Sequence, residues 1–387
     1  MRAVLLAVAV ALAAALGSPP ADAAERADLV VKLEDGGDAE AAARALGGRL
    51  GLVVAADTVV VKDGLLGGGR PAGTEWVAPD TTYEATREPT DACYRACPFS
   101  LDGQPELVAV GAPAAWDVTT GSPDVVVAVL DGVVDTRHAD LVGKVRAGPT
   151  YVTGGCQTAT SSQASHATGV AGVVGAITDN GLGIASLGWR TSVLSIAVLD
   201  PCGIGTASEV SAGIRHAADT GARVINLSLA GTAHPALAEA VAYAQGRGSL
   251  VVAAAGNGRS TEPVFPAGYP GVLAVGATAR DGSRPSEFSN RGAWVDLVAP
   301  GERIVSTATV AGGYLTFDGT SFAAPLVSAA AALVVASHPT FTAADVATRL
   351  ARTARPLAGT NGLLDAAAAV TDLPGGFVMV AADGGAF

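Results

Sequence analysis

Val125-Val126-Val127-Ala128-Val129-Leu130-Asp131 is a run of six apolar residues, mostly β-branched, closed by a carboxylate. A half-buried strand alternates apolar and polar residues, whereas a strand covered on both faces does not alternate. Four later runs read the same way: 193–200 (VLSIAVLD), 224–231 (VINLSLAG), 250–257 (LVVAAAGN) and 272–278 (VLAVGAT). Between them, "ASEVSAGIRHAADTGA" and "PALAEAVAYAQGRG" have a helical period. This alternation predicts an α/β fold with a mostly parallel central sheet and helices on both faces. Such sheets bind ligands beyond the carboxyl ends of their strands. Asp131 and Asn257 end two of the runs. His166 and Ser321 stand where the apolar helices "HATGVAGVVGAI" and "SFAAPLVSAAAALVV" are expected to begin. All four residues are therefore expected at one sheet edge.

The chain has 387 residues, 49% hydrophobic and 16% charged, with a formal net charge of −12. That suits one large α/β domain and a small one. No basic patch stands out, so nucleic acid is not an expected partner. At the N-terminus, Met1-Arg2 precedes an apolar run from Ala3 to Leu16 and then Ala21-Asp22-Ala23. These are the three parts of a secretory signal, which predicts a leader over residues 1–23 and an extracellular protein. Its apolar part is too short to span a bilayer. The longest later apolar run, Phe322 to Ala336, contains Pro325 and Ser328 and reads as a buried helix, so no stable membrane span is expected.

Cys93, Cys97, Cys156 and Cys202 are an even set behind a leader, which predicts up to two disulfides. Three pairings are open, of which Cys93–Cys97 with Cys156–Cys202 is favoured. None of the cysteines has zinc spacing. Residues 24–90 look separate. "ADLVVKL" reads as a strand, "DAEAAARALGG" as a helix and "DTVVVKDG" as a strand, followed by a polar linker. The larger domain is expected over 91–372, with a short tail over 373–387.

Taken singly, each edge residue has a plain structural reading. Ser321 reads as a helix N-cap worth about 1 kcal/mol. Asn257 reads as a turn residue, His166 as a packed helix residue and Asp131 as a strand-end carboxylate. Together they supply a mechanism. A serine hydroxyl is a weak nucleophile until a base takes its proton. Histidine titrates near neutrality and can be that base. A buried carboxylate fixes its tautomer. An amide and a backbone N–H at a helix start can stabilise an oxyanion.

The blocks "VVVAVLDGVVDTRHADL", "SHATGVAG", "VINLSLAG", "VVAAAGN" and "GTSFAAPLVSAAAAL", in this order, resemble the signature blocks of the subtilisin-like serine proteases. The resemblance runs from about Asp91 to Val370. It implies a three-layer subtilisin-like fold and a secreted serine endopeptidase working through an acyl-enzyme. Asp131, His166 and Ser321 would be the triad, with Asn257 in the oxyanion hole. Ser228, Leu229, Ala230 and Gly231 on one side, and the segment at Gly203 on the other, would flank an extended peptide or protein substrate. No cofactor is implied for the chemistry. A structural calcium is implied at Asp140 and Asn180. Residues 24–90 take the place of a propeptide that assists folding and inhibits the enzyme, and a monomer is expected.

The sequence also departs from the family. Gly132 stands where a serine or threonine is usual. Val133, Ala167 and Ala230 each stand where a glycine is usual. These changes leave open a second reading, a catalytically weak or inactive binding protein on the same fold. Other readings fit less well. The α/β-hydrolases expect Gly-x-Ser-x-Gly with the histidine last, but position 323 is alanine and His166 precedes Ser321. "GLGIAS" (181–186) lacks the final glycine of a dinucleotide fingerprint, and no P-loop occurs. No acidic residue marks the substrate pocket, so uncharged, apolar side chains are expected before the cut.

Overall fold

The computed structural model describes residues 26–65, 70–79, 88–156, 158–311 and 313–371. The expected leader and tail lie outside the described residues. The chain forms two compact units, Met1–Ala85 and Thr86–Phe387.

The small unit runs β1 (Arg26–Leu33), α1 (Ala39–Ala45), β2 (Arg49–Ala55), β3 (Thr58–Leu65) and β4 (Thr74–Pro79). The strands form one sheet in the order β2-β3-β1-β4, with antiparallel neighbours. Asp38 caps α1 by accepting from the N–H groups of Glu40 and Ala41. Ala42, Ala43 and Leu46 then pack on Leu29, Val31, Val59 and Val61. The sequence reading finds β1, α1 and β3 but not β2 or β4. Leu52, Val53 and Val54 in β2 are exposed, so that strand carries no inward-outward alternation to detect.

In the large unit, α2 (Ala92–Arg95), α3 (Pro105–Ala109) and α4 (Ala112–Val118) lead into β5 (Val126–Asp131). The chain continues through β6 (Val145–Thr150), α5 (Ser161–Gly175), β7 (Ser192–Ala197), α6 (Ala207–Asp219) and β8 (Val224–Leu227). Next come α7 (Pro235–Gly246), β9 (Leu250–Ala254), β10 (Leu273–Thr278), β11 (Leu297–Pro300) and the hairpin β12 (Ile304–Thr307)–β13 (Tyr314–Phe317). Three helices close it: α8 (Thr320–Ser337), α9 (Ala343–Thr353) and α10 (Ala366–Val370).

Seven strands form one sheet in the order β11-β10-β9-β8-β5-β7-β6, and every neighbouring pair is parallel. β5 shows why its sequence lacks alternation. Val127 and Val129 enter the core on the side of α5 and α8, and Ala128 and Leu130 enter the core on the side of α6 and α7. Each such buried valine or leucine contributes about 1.5–3 kcal/mol. The chain leaves β5 toward β6 and β7 on one side and β8 on the other, so the β5–β8 junction is the switch point where a ligand crevice opens.

α8 is the only helix among the described residues long and apolar enough to cross a membrane, but 83% of it is buried inside the molecule. It is the core helix that the sequence reading expects. Cys93–Cys97 and Cys156–Cys202 are both disulfides, as favoured from the sequence.

Candidate active site

Asp131 is the last residue of β5 and is 2% exposed. Its Oδ1 accepts from the Gly132 N–H (2.7 Å) and from His166 Nδ1 (3.0 Å), and its Oδ2 lies 2.9 Å from the same nitrogen. The proton on Nδ1 therefore faces the carboxylate, and Nε2 is left with a lone pair. Burial opposes a charged His166 ring, but the Asp131 charge and hydrogen bond outweigh it. The imidazole is held above the ordinary histidine value.

His166 does not begin its helix, contrary to the sequence reading. α5 starts at Ser161 behind a capping box of Thr160 and Gln163. The polar first turn, Ser161-Ser162-Gln163, carries no apolar signal, which is why the start is missed. His166 thus lies in the second turn, its ring edge-on to Phe322 with centroids 5.5 Å apart.

Ser321 is the second residue of α8 and not its cap. Gly319 holds that position at φ 147°, with no side-chain cap. A side chain at Gly319 would put its Cβ 3.3 Å from Asn257 Nδ2 and 3.7 Å from the Ser321 nitrogen. Glycine therefore keeps open a space bordered by two N–H donors. The orientation of the Asn257 amide is fixed. Its Oδ1 accepts from the Thr320 N–H and hydroxyl (both 2.9 Å), and Thr320 Oγ1 in turn accepts from the Gly256 N–H (3.0 Å). Nδ2 is thereby left facing the space.

Pro325 explains how α8 is tied to β8. Proline has no N–H, so the Ser321 carbonyl four residues earlier lacks its helical donor. The Ser228 hydroxyl donates to that carbonyl instead (2.7 Å). Asn226 Nδ2 donates to Ser228 Oγ (2.9 Å), and the Ser328 hydroxyl donates to Asn226 Oδ1 (2.9 Å). In return, the Ser321 hydroxyl donates to the Ser228 carbonyl (3.1 Å). No hydrogen bond joins Ser321 to His166, so a turn about the serine χ1 is needed to present its proton to Nε2.

Ser228, Leu229, Ala230 and Gly231 follow β8 and line one side of a cleft of about 600 Å³. Gly203 and its neighbours line the other side, and His166 also borders it. Of the departures, Val133 is 72% exposed and crowds nothing. Gly132 and Ala167 face each other, since a Cβ at 132 would lie 3.6 Å from the Ala167 methyl, an ordinary contact. Asp131 Oδ2 has no well-aligned donor among the described residues.

Asp140 and Asn180 are brought together. Asn180 Nδ2 donates to Asp140 Oδ1, while the Ile184 N–H and the Tyr314 hydroxyl donate to Oδ2 (all 2.9 Å). The sequence reading missed a third member, Asp91. It is 4% exposed, its Oδ2 accepts from the Asp179 N–H (2.7 Å), and its Oδ1 is buried without a partner. Burial pushes its carboxyl up to about 6, with the nearby Asp140 charge adding to the effect. Among the described residues, Asp91, Asp140 and Asp179 form no ion pair with lysine or arginine. The orphaned buried Asp91 oxygen suits a hard cation such as calcium, whereas Asn180 turns its amide nitrogen to Asp140 and its Oδ1 accepts from the Leu182 N–H (2.7 Å), so it would have to rotate to become a ligand.

A fully parallel sheet of this order, with a serine opening its central helix beside an Asp–His pair, defines one class, the subtilisin-like serine endopeptidases. Residues 122–371 match the subtilase family model, and the chain belongs to that family. It is 41% identical over 261 residues to the thermophilic serine proteinase of Bacillus sp. (strain AK1), covering 67% of this chain and 63% of that one. It is 39% identical over 253 residues to thermitase of Thermoactinomyces vulgaris, covering 65% and 88%. Among solved structures it is similar to a protease of Pseudoalteromonas arctica, at 30% identity and TM-score 0.62, covering 67% of this chain and 93% of that one.

Proposed function

We propose that the protein is a secreted serine endopeptidase in which Ser321 is the nucleophile, His166 the general base and acid, and Asp131 the group that orients His166. Ser321 Oγ attacks the peptide carbonyl carbon as its proton passes to His166 Nε2. The negative oxygen formed is received by Asn257 Nδ2 and the Ser321 N–H. The C–N bond then breaks, and His166 returns the proton to the leaving amine. Water attacks the acyl ester by the same route in reverse, releasing the acid and restoring the serine hydroxyl. The observation that carries this reading is the half-buried His166 held by the buried Asp131 carboxylate, a contact that fixes the tautomer a base requires.

An extended peptide would lie between Ser228–Gly231 and the Gly203 segment, with uncharged, apolar residues before the cut. Residues 1–23 would direct secretion, and residues 24–90 would assist folding and inhibit until removed. Asp91, Asp140 and Asn180 would hold a calcium ion, which supplies charge compensation and takes no part in the reaction. The second reading, an inactive binding protein, draws on the Ser321 hydroxyl being held by the Ser228 carbonyl. The two readings part on one assay. Hydrolysis of an unfolded protein by the wild type, lost in Ser321→Ala, supports the enzyme. Binding of that protein without hydrolysis supports the alternative.

A further inference from the structure

The lip of the cleft opposite Ser228–Gly231 is a turn whose own hydrogen bonds are all local, including Asp200 N–H to the Ile204 carbonyl and Gly203 N–H to the Asp200 carbonyl (both 2.8 Å). Asp200 Oδ1 accepts from the N–H groups of Cys202 (2.9 Å) and Ile204 (3.0 Å), which shapes the turn but does not anchor it. Anchorage comes from a distant stretch. Residues 151–156 and 158–160, between β6 and α5, have no regular structure, and a Cβ added at Gly154 or Gly155 would meet nothing within 4 Å. Three ties join that stretch and the start of α5 to the lip. The first is the Cys156–Cys202 disulfide. The second is the Glu209 carboxylate, 7% exposed and shared between both sides. Its Oε1 accepts from the Thr153 N–H (2.7 Å) and hydroxyl (2.6 Å), and its Oε2 from the Thr206 N–H (2.7 Å) and hydroxyl (2.9 Å). The third is Gln163 Nε2, which donates to the Cys202 carbonyl (3.3 Å).

We infer that Cys156–Cys202 and Glu209 form a brace that pre-orders the Cys202–Thr206 lip for an extended substrate, making them positioning residues for substrate binding and not for the chemistry. A backbone segment that pairs with a peptide must be ordered before or during binding, and ordering it during binding weakens affinity. Cys202, Gly203, Ile204 and Thr206 all line the cleft that His166 and Ser228 border, so the brace acts where the peptide would lie. The inference rests on reading that cleft as the peptide site.

The test uses protein folded as the full chain and then cleaved after residue 90 at an introduced site for an added protease, so that residues 24–90 are removed, and it separates binding from turnover. In a Ser321→Ala background, which cannot form the acyl-enzyme, the affinity of a fluorescent octapeptide of alternating alanine and leucine is measured with and without C156S/C202S. The brace predicts a dissociation constant about fivefold to tenfold higher without the disulfide, the size of roughly one lost backbone hydrogen bond. With Ser321 present, hydrolysis of p-nitrophenyl acetate, too short to reach the lip, stays within about twofold. Octapeptide affinity that does not change, or an ester rate that falls as far as the affinity, overturns the brace. Glu209→Gln keeps the disulfide and guards against misfolding. It is expected to weaken octapeptide binding in the same direction, and no change there also overturns the inference. The wild-type ester rate reports on the catalytic reading alone, so the two readings fail separately.

Discussion

His166 is one of five histidines, and what distinguishes it is its contact with Asp131. Removing that charge with Asp131→Asn should have two effects. The proton on Nδ1 loses its fixed partner, so kcat falls on the order of 10⁴, the size this carboxylate carries in such triads. The influences that raise the His166 proton affinity also disappear, so the alkaline-rising limb of the activity profile moves to lower pH. A limb that stays in place would show that another group titrates there. If Asn257 Nδ2 serves the oxyanion as proposed, Asn257→Ala should lower kcat by about 10²–10³ with KM little changed. Equal loss in KM would assign it to substrate binding. Asp131 is legible in sequence because it ends a buried strand; His166, in the second turn of α5, and Asn257, three residues beyond β9, are placed only to the neighbourhood of that edge. Asp91 is not legible, since its hydrogen-bond partner lies 88 residues away and no local period marks it.

Elements are legible where burial is complete. The central strands contribute to both cores and their sequences say so. β2, with its exposed Leu52, Val53 and Val54, says nothing comparable. Helix starts are harder, because caps are polar and the apolar period begins only when the helix reaches the core. α5 therefore begins at Ser161 and not at His166. α6 also begins with a capping box, Thr206 and Glu209, but Glu209 reaches beyond its own helix to Thr153. Hydrogen bonds from Thr153 and Thr206 bring its carboxyl down to about 2 from 4.5. A lowered carboxyl stabilises the fold above its unfolded value, and that contribution fades as pH falls through its folded value. Chemical denaturation should therefore find wild type more stable than Glu209→Gln at neutral pH. The gap should close between about 4.5 and about 2. A gap independent of pH would mean that the charged carboxylate contributes nothing.

At the scale of the molecule, the α/β class is legible from the alternating runs. The small unit's complete sheet and the addition of Asp91 to Asp140 and Asn180 are not, because they depend on long-range pairing. The calcium proposed for that group would act at the scale of the whole molecule. If calcium occupies it at about 100 times the dissociation constant, chelation should lower the unfolding midpoint by roughly 5–10 °C. Asp91→Asn should abolish that calcium dependence. An identical chelation effect in the variant would place the ion elsewhere.

The central claim is that His166, held by Asp131, activates Ser321. It is tested most directly by the rate at which a fluorophosphonate modifies the folded protein across a pH series, with the modified residue identified by mass. The account predicts one adduct, on Ser321, at a rate that rises with pH through a value above that of ordinary histidine and collapses in Asp131→Asn. No adduct, an adduct on another residue, or a rate indifferent to Asp131 would contradict it.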